Sequence, residues 1–245
     1  MLEKKIEIKG VSKKIKNRTI LSDISFDIYK GDICGFLGPN GAGKTTLIRI
    51  ITNLISPTKG EVKINGIDVV KQRKSALLNL GAIVEEPVFF PFMSGRKNLQ
   101  NLAMLNPDMS KAEQKEKVEE VLKIVDLQSR GDDKVKTYSL GMKQRLGIAQ
   151  ALLNNPEIII LDEPANGLDP IGMRDLRNLI FKLQREKKIS FLISSHLLDE
   201  LQQVCNRFIV INEGNLIWEG SKKELESVSD NGKLEDAFIK LVSKY

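Results

Sequence analysis

The stretch Ile33-Cys34-Gly35-Phe36-Leu37-Gly38-Pro39-Asn40-Gly41-Ala42-Gly43-Lys44-Thr45-Thr46 decides how this chain is read. The run Ile33–Leu37 predicts a buried strand that enters a glycine-rich loop directly. From Gly38 to Thr45 the loop has the spacing G-x-x-x-x-G-K-T. Glycines let successive backbone N–H groups turn toward one anion, because no Cβ blocks the approach. A helix is expected from about Gly43 to Asn53, before Ser56-Pro57, and its N-terminal end adds positive potential. Lys44 can then reach the β- and γ-phosphates of a nucleoside triphosphate, and the Thr45 hydroxyl can ligate Mg²⁺. Gly38, Pro39, Asn40, Gly41, Ala42, Gly43, Lys44, Thr45 and Thr46 form the candidate phosphate cradle.

Working outward, Ile158–Leu161 is a second buried strand, and it delivers Asp162 and Glu163 to its exposed end. Asp162 is placed to hold Mg²⁺, and Glu163 to orient or deprotonate an attacking water. A small-molecule kinase would share the loop but needs no second acid here. A third strand, Ser190–Ile193, leads into Ser194-Ser195-His196, and His196 is the only histidine in the chain. A lone histidine is more often a surface or core residue; at the ligand-facing edge of a parallel sheet the functional reading is favoured.

The rest is ordinary for a globular protein. Hydrophobic residues make up 41% and the net charge is +6, with basic residues scattered apart from the short cluster Lys13–Arg18. Such a charge is compatible with nucleic acid or an anionic membrane face, but a solvated surface is the simpler reading. No apolar run is long enough to span a bilayer, and the N-terminus reads as a strand rather than a signal peptide. A cytosolic protein is therefore expected. Cys34 and Cys205 are far apart in sequence and fit small buried side chains better than a disulfide or a zinc site.

Short strands are expected at Lys4–Ile8, Ser25–Tyr29, Glu61–Ile64 and Ala82–Val84, with a turn at Asn65-Gly66. From about Pro87 to Leu153 helical periodicity takes over, with Val118, Val121, Leu122 and Val125 on one face. Glu113 with Lys117, and Glu119 with Lys123, are expected as i,i+4 pairs on the wet side. Helices are expected at Pro170–Arg185, Leu197–Cys205 and Lys233–Lys244, and a hairpin at Phe208–Asn212 and Leu216–Glu219.

Taken in order, these segments resemble the nucleotide-binding subunit of an ABC transporter over essentially the whole chain. The resemblance implies an α/β fold: a P-loop NTPase core with a mixed sheet, an N-terminal antiparallel β-subdomain and an inserted α-helical subdomain. It implies one domain over 1–245, with the core at 1–86 and 155–220, the helical lobe at 87–154 and a helical tail at 221–245. It implies ATP and Mg²⁺ as cofactors, a transmembrane permease as partner, and a homodimer or paired ATPase subunit closed by ATP. No nucleic-acid partner is implied. The expected location is cytoplasmic, on the inner face of the cell membrane.

Residue by residue, Tyr138-Ser139-Leu140-Gly141-Met142 resembles the family's Leu-Ser-Gly-Gly-Gln signature, with Leu140 and Met142 departing from it. Ser139 and Gly141 are thereby expected on the ATP of the opposite subunit. Asp169, in Gly167-Leu168-Asp169, is similar to the loop that crosses the dimer seam, and His196 to the switch histidine on the γ-phosphate. Glu85 falls where the family usually has a glutamine that touches Mg²⁺, and this glutamate resembles transporters for bacitracin and lantibiotic immunity. Export of an antimicrobial peptide or similar amphiphile is expected, and Glu85→Gln tests it through ATPase and resistance. Ile15 falls where an aromatic usually stacks on adenine, so modest discrimination of ATP from GTP is expected.

Phe89-Phe90-Pro91-Phe92-Met93 has two readings: packing of the helical lobe, or an exposed patch that receives a membrane-subunit helix. On the second, Phe89→Asp weakens assembly more than ATP binding. Three rival functions stay open. One is a soluble ABC-type ATPase in a scaffold complex, such as iron–sulfur cluster assembly. The others are a nucleic-acid-acting relative and a regulatory module without turnover.

Overall fold

A computed structural model describes residues 3–243; Met1, Leu2, Lys244 and Tyr245, at the ends of two expected segments, lie outside the described residues. The fold is α/β, with two sheets. Strands β1 (Lys4–Ile15), β2 (Arg18–Tyr29), β4 (Lys59–Ile64) and β5 (Ile67–Asp68) form an antiparallel sheet in the order β2-β1-β4-β5. Strands β3 (Ile33–Leu37), β6 (Leu80–Ile83), β7 (Ile158–Asp162), β8 (Ser190–Ser195), β9 (Arg207–Asn212) and β10 (Asn215–Ser221) form the second, in the order β10-β9-β3-β8-β7-β6. All neighbours in it are parallel except β9 and β10, so this sheet is mixed.

The central strands β3, β7 and β8 are buried along their whole length, which is why they read as continuous apolar runs. Helices α1 (Lys44–Ile51) and α6 (Pro170–Lys187) follow β3 and β7. Between β6 and β7 come helices α3 (Gly95–Ala103), α4 (Lys111–Ile124) and α5 (Leu140–Ala151). Their apolar faces share one core with the sheet, and Val118, Val121, Leu122 and Val125 are each 0% exposed. Cys34 and Cys205 are free and buried, and burial pushes both thiols well above their usual range.

Several expectations need correction. The expected strands Lys4–Ile8 and Ser25–Tyr29 are the ends of one long hairpin that turns at Lys16-Asn17, where Lys16 has φ +52°. Register irregularities between Ile8 and Lys14 break the alternation that would have announced it. The expected helix Leu197–Cys205 is helical only as α7 (Leu198–Leu201), which lacks a side-chain cap. Short α2 (Arg73–Leu77) and α8 (Lys222–Glu226) were not foreseen; the tail helix is α9 (Leu234–Val242).

Neither expected i,i+4 pair forms. Glu113 closes a capping box with Ser110 instead. Lys117 faces inward, 7% exposed, and bonds Glu120 and Asn155, while Glu119 takes Arg96. A capping box and a tertiary arginine each offer better geometry than a flexible surface pair.

Candidate active site

The loop from β3 to α1 is shaped by two glycines that no other residue could replace without displacement. A Cβ on Gly38 would lie 2.3 Å from the Ile211 carbonyl oxygen. Gly43 has φ +106°, and its Cβ would lie 2.7 Å from Leu21 Cδ2. The first N–H groups of α1, on Lys44, Thr45 and Thr46, have no carbonyl one turn back within the helix, which suits them to an anion. Lys44 is 6% exposed, and its Nζ donates to the Gly38 carbonyl at 2.7 Å and the Pro39 carbonyl at 3.3 Å. It also lies 3.5 Å from Glu163 Oε1. Pro39 is half-buried, Asn40 and Gly41 are exposed, and Ala42 is buried beneath the loop.

The acids come from β7. Asp162 is 4% exposed, and its carboxylate accepts the Ser194 hydroxyl at 2.5 Å. The same hydroxyl oxygen accepts the Glu163 N–H at 3.0 Å. Glu163 has φ +48°, an uncommon value for a residue with a side chain, directly after β7 ends at Asp162. Its Oε2 meets His196 Nδ1 at 2.9 Å. A neutral imidazole facing a carboxylate carries its proton on Nδ1, which leaves Nε2 as an acceptor. Lys44, Asp162, Glu163 and His196 are thus gathered at the C-terminal ends of β3, β7 and β8, where an open parallel sheet presents ligands. Ser194, which joins Asp162 to Glu163, was quoted in the sequence but given no role. Its signal was its place as the first hydroxyl after an apolar strand.

Among the described residues no three His, Cys, Asp or Glu side chains cluster as a metal cage. The donors on offer are one buried carboxylate, Asp162, and the hydroxyl of Thr45 in the first turn of α1. That fits Mg²⁺, a hard ion that takes one or two protein oxygens and fills its shell with phosphate and water.

Other expected residues lie elsewhere. Glu85 has φ +66°, is well exposed, and forms an ion pair with Arg49 of α1. Ile15 ends β1 at 48% exposure beside the hairpin turn. Ser139 caps α5 by accepting the Met142 N–H at 3.2 Å, and Asp169 caps α6 by accepting the Gly172 N–H at 2.7 Å. Gly141 is open on its Cβ side, with Leu168 Cδ2 nearest at 3.9 Å. Among the described residues no hydrogen bond or ion pair links Ser139, Gly141 or Asp169 to the phosphate loop of the same chain. The Phe89–Met93 segment divides: Phe89 packs against the core, whereas Val88, Phe90 and Phe92 are 89%, 63% and 77% exposed.

A cavity of about 670 Å³ lies beyond His196, between α6, α7 and α9.

Comparisons with known proteins converge on one family. The ABC transporter family model matches residues 21–166. An uncharacterised ABC transporter ATP-binding protein of Bacillus subtilis, YhcH, is 48% identical over 226 residues, covering 92% of this chain and 72% of that one. The bacitracin transport ATP-binding protein BcrA of Bacillus licheniformis is 44% identical over 214 residues, covering 87% and 69%. Among solved structures, a dimeric ATP-binding cassette in a post-hydrolysis state, bound to ADP and Pi, superposes with a TM-score of 0.77. It is 27% identical, over 88% of this chain and 98% of that one.

Proposed function

This chain belongs to the ABC transporter family as an ATP-binding, ATP-hydrolysing subunit, and on that premise we propose how its residues divide the work and what it moves. The backbone of Gly38–Thr46 and the Lys44 ammonium bind the β- and γ-phosphates; the arriving oxygens replace the Gly38 and Pro39 carbonyls as partners of Lys44. Asp162 and Thr45 are the residues that would hold Mg²⁺, with Glu85 a further candidate once it exchanges Arg49 for the ion, and the ion would neutralise charge on those phosphates. Glu163 accepts a proton from the attacking water, and His196, held on Glu163 Oε2 through Nδ1, turns Nε2 toward the γ-phosphate, where it donates a hydrogen bond when the ring carries both protons.

Ser139, Gly141 and Asp169 act across a dimer seam, on the triphosphate held by a second copy or a paired subunit. The exposure of Ser139 and Asp169, the open Cβ side of half-buried Gly141, and the separation of all three from their own phosphate loop support that reading. Each subunit holds half of two sites. The triphosphate closes the pair and its hydrolysis releases it, and the motion is passed to a membrane-embedded permease.

The observation that carries the hydrolytic assignment is the connected set Asp162–Ser194–Glu163–His196, with Lys44 at 3.5 Å from Glu163. Its test is Glu163→Gln. Loss of a general base costs roughly 10²–10⁴ in rate, so this variant should stop turning over and accumulate as an ATP-bound dimer on size exclusion. Turnover at the wild-type rate would sink the assignment.

The cargo we propose is an antimicrobial peptide or similar amphiphile, expelled outward, with this subunit on the cytoplasmic face of the cell membrane. The support is the bacitracin transport relative and Glu85 in place of the usual glutamine. The same relatives favour a membrane transporter over a soluble scaffold ATPase. Among the described residues no helix is long and apolar enough to cross a membrane.

A further inference from the structure

Ser194 and Ser195 end the same strand but do different things. Ser194 serves Asp162 and Glu163, as described. Ser195 is 1% exposed; its Oγ accepts the Leu197 N–H at 3.0 Å and donates to Glu200 Oε2 at 3.1 Å. His196 lies between Ser195 and Leu197, so these two bonds clamp the backbone on both sides of the imidazole. Glu200 sits in the first turn of α7, which spans only Leu198–Leu201 and has no side-chain cap. A helix this short cannot orient the turn before it by its own cooperativity.

We propose that Glu200 is a positioning residue for His196: its carboxylate, acting through Ser195 Oγ, holds the turn so that imidazole Nδ1 faces Glu163. The proposal rests on the reading of Glu163 and His196 as the hydrolytic pair. A carboxyl beside an apolar wall is costly unless it is hydrogen-bonded, and Glu200 borders the cavity lined by Met173, Leu176 and Phe238. Burial pushes its carboxyl up, the Ser195 hydroxyl pulls it down, and the charges of Glu163 and His196 act on it in opposite directions. The other charged groups on that cavity are Arg177 of α6, Asp199 of α7 and Glu235 of α9. Among the described residues none of these is hydrogen-bonded to Ser195. Glu200 is therefore the acid coupled to the turn by a bond, rather than by field alone.

The test uses the fact that His196 is the only histidine, so its ring gives one set of ¹⁵N-detected imidazole signals in the full chain. The wild-type ring should report a dominant Nδ1–H tautomer. Glu200→Ala and Ser195→Ala should each move these signals toward a tautomer mixture, and the double variant should move them no further than either single one. Glu200→Gln keeps an amide oxygen to accept from Ser195, so its signals should stay near wild type. In ATP turnover the alanine variants should lose roughly tenfold in kcat while KM stays within about twofold, because orientation rather than binding is lost. Unchanged signals in a folded Glu200→Ala protein would overturn the proposal, as would a Glu200→Gln variant as impaired as the alanine one. If Glu200→Ala does not fold, Ser195→Ala decides alone, since it deletes only a hydroxyl. Failure of the hydrolytic reading looks different: His196→Ala and Glu163→Gln would turn over normally while the imidazole still responded to Glu200.

Discussion

Lys44 shows at the residue scale how this site is primed. A buried ammonium needs partners, and here they are two loop carbonyls and the Glu163 carboxylate. A triphosphate offers stronger, charged acceptors in the same cradle. Charged hydrogen bonds contribute about 1.5–3 kcal/mol each. Lys44→Ala should therefore weaken ATP binding by roughly 10–100-fold in calorimetric titration. The dimer should then fail to form for want of ligand, even when Glu163→Gln is also present. Glu85 belongs to the same scale. The family resemblance implies a side chain that touches Mg²⁺ at this position; in the structure the Glu85 carboxylate is met by Arg49. That pair is a surface one, worth about 0–1 kcal/mol, so any importance of Glu85 lies in turnover and transport rather than in stability.

At the element scale, α4 illustrates what a period reveals and what it hides. Its apolar stripe was legible because residues at i, i+3, i+4 and i+7 share a face whatever lies beneath. Leu122, 0% exposed, sits in the middle of that stripe. Leu122→Ala should cost about 2–5 kcal/mol in urea unfolding. The charged partners of the same helix were not legible. Lys117 and Glu119 find Asn155 and Arg96, which are distant in sequence. The long β1–β2 hairpin was likewise hidden, since its outer half carries polar residues and irregular register.

Two expectations belong to the whole molecule. Near the base of the sheets, Glu3 meets Lys5 and Lys30, and Lys5 also meets Glu157. Hydrogen bonds from Lys30 and Lys5 lower the Glu3 carboxyl from 4.5 to about 2. A depressed acid stabilises the fold above its unfolded pKa, and that contribution fades as pH falls from 4.5 through about 2. Glu3→Gln should therefore lower the urea midpoint slightly at pH 6, and the difference should shrink near pH 3 and in high salt. On the outer surface, Val88, Phe90 and Phe92 make an apolar patch that the core does not need. Phe90→Asp should reduce co-purification with the membrane partner and leave ATP affinity within about twofold, a contrast set by the patch lying outside the phosphate cradle. The same change at Phe89, which packs against the core, would confound assembly with folding.

The sequence by itself determined the glycine-rich loop between β3 and α1, the acids at the end of β7, the buried parallel strands and the family resemblance. These rest on contiguous residues, where backbone geometry ties spacing to shape. Only the tertiary structure decided that Ser194 joins Asp162 to Glu163, that Arg49 answers Glu85, and that Ser195 links Glu200 to the turn bearing His196. Except for the short reach from Ser195 to Glu200, those partners are distant in sequence, and a hydrogen bond or ion pair is set by distance in space, which linear spacing does not encode.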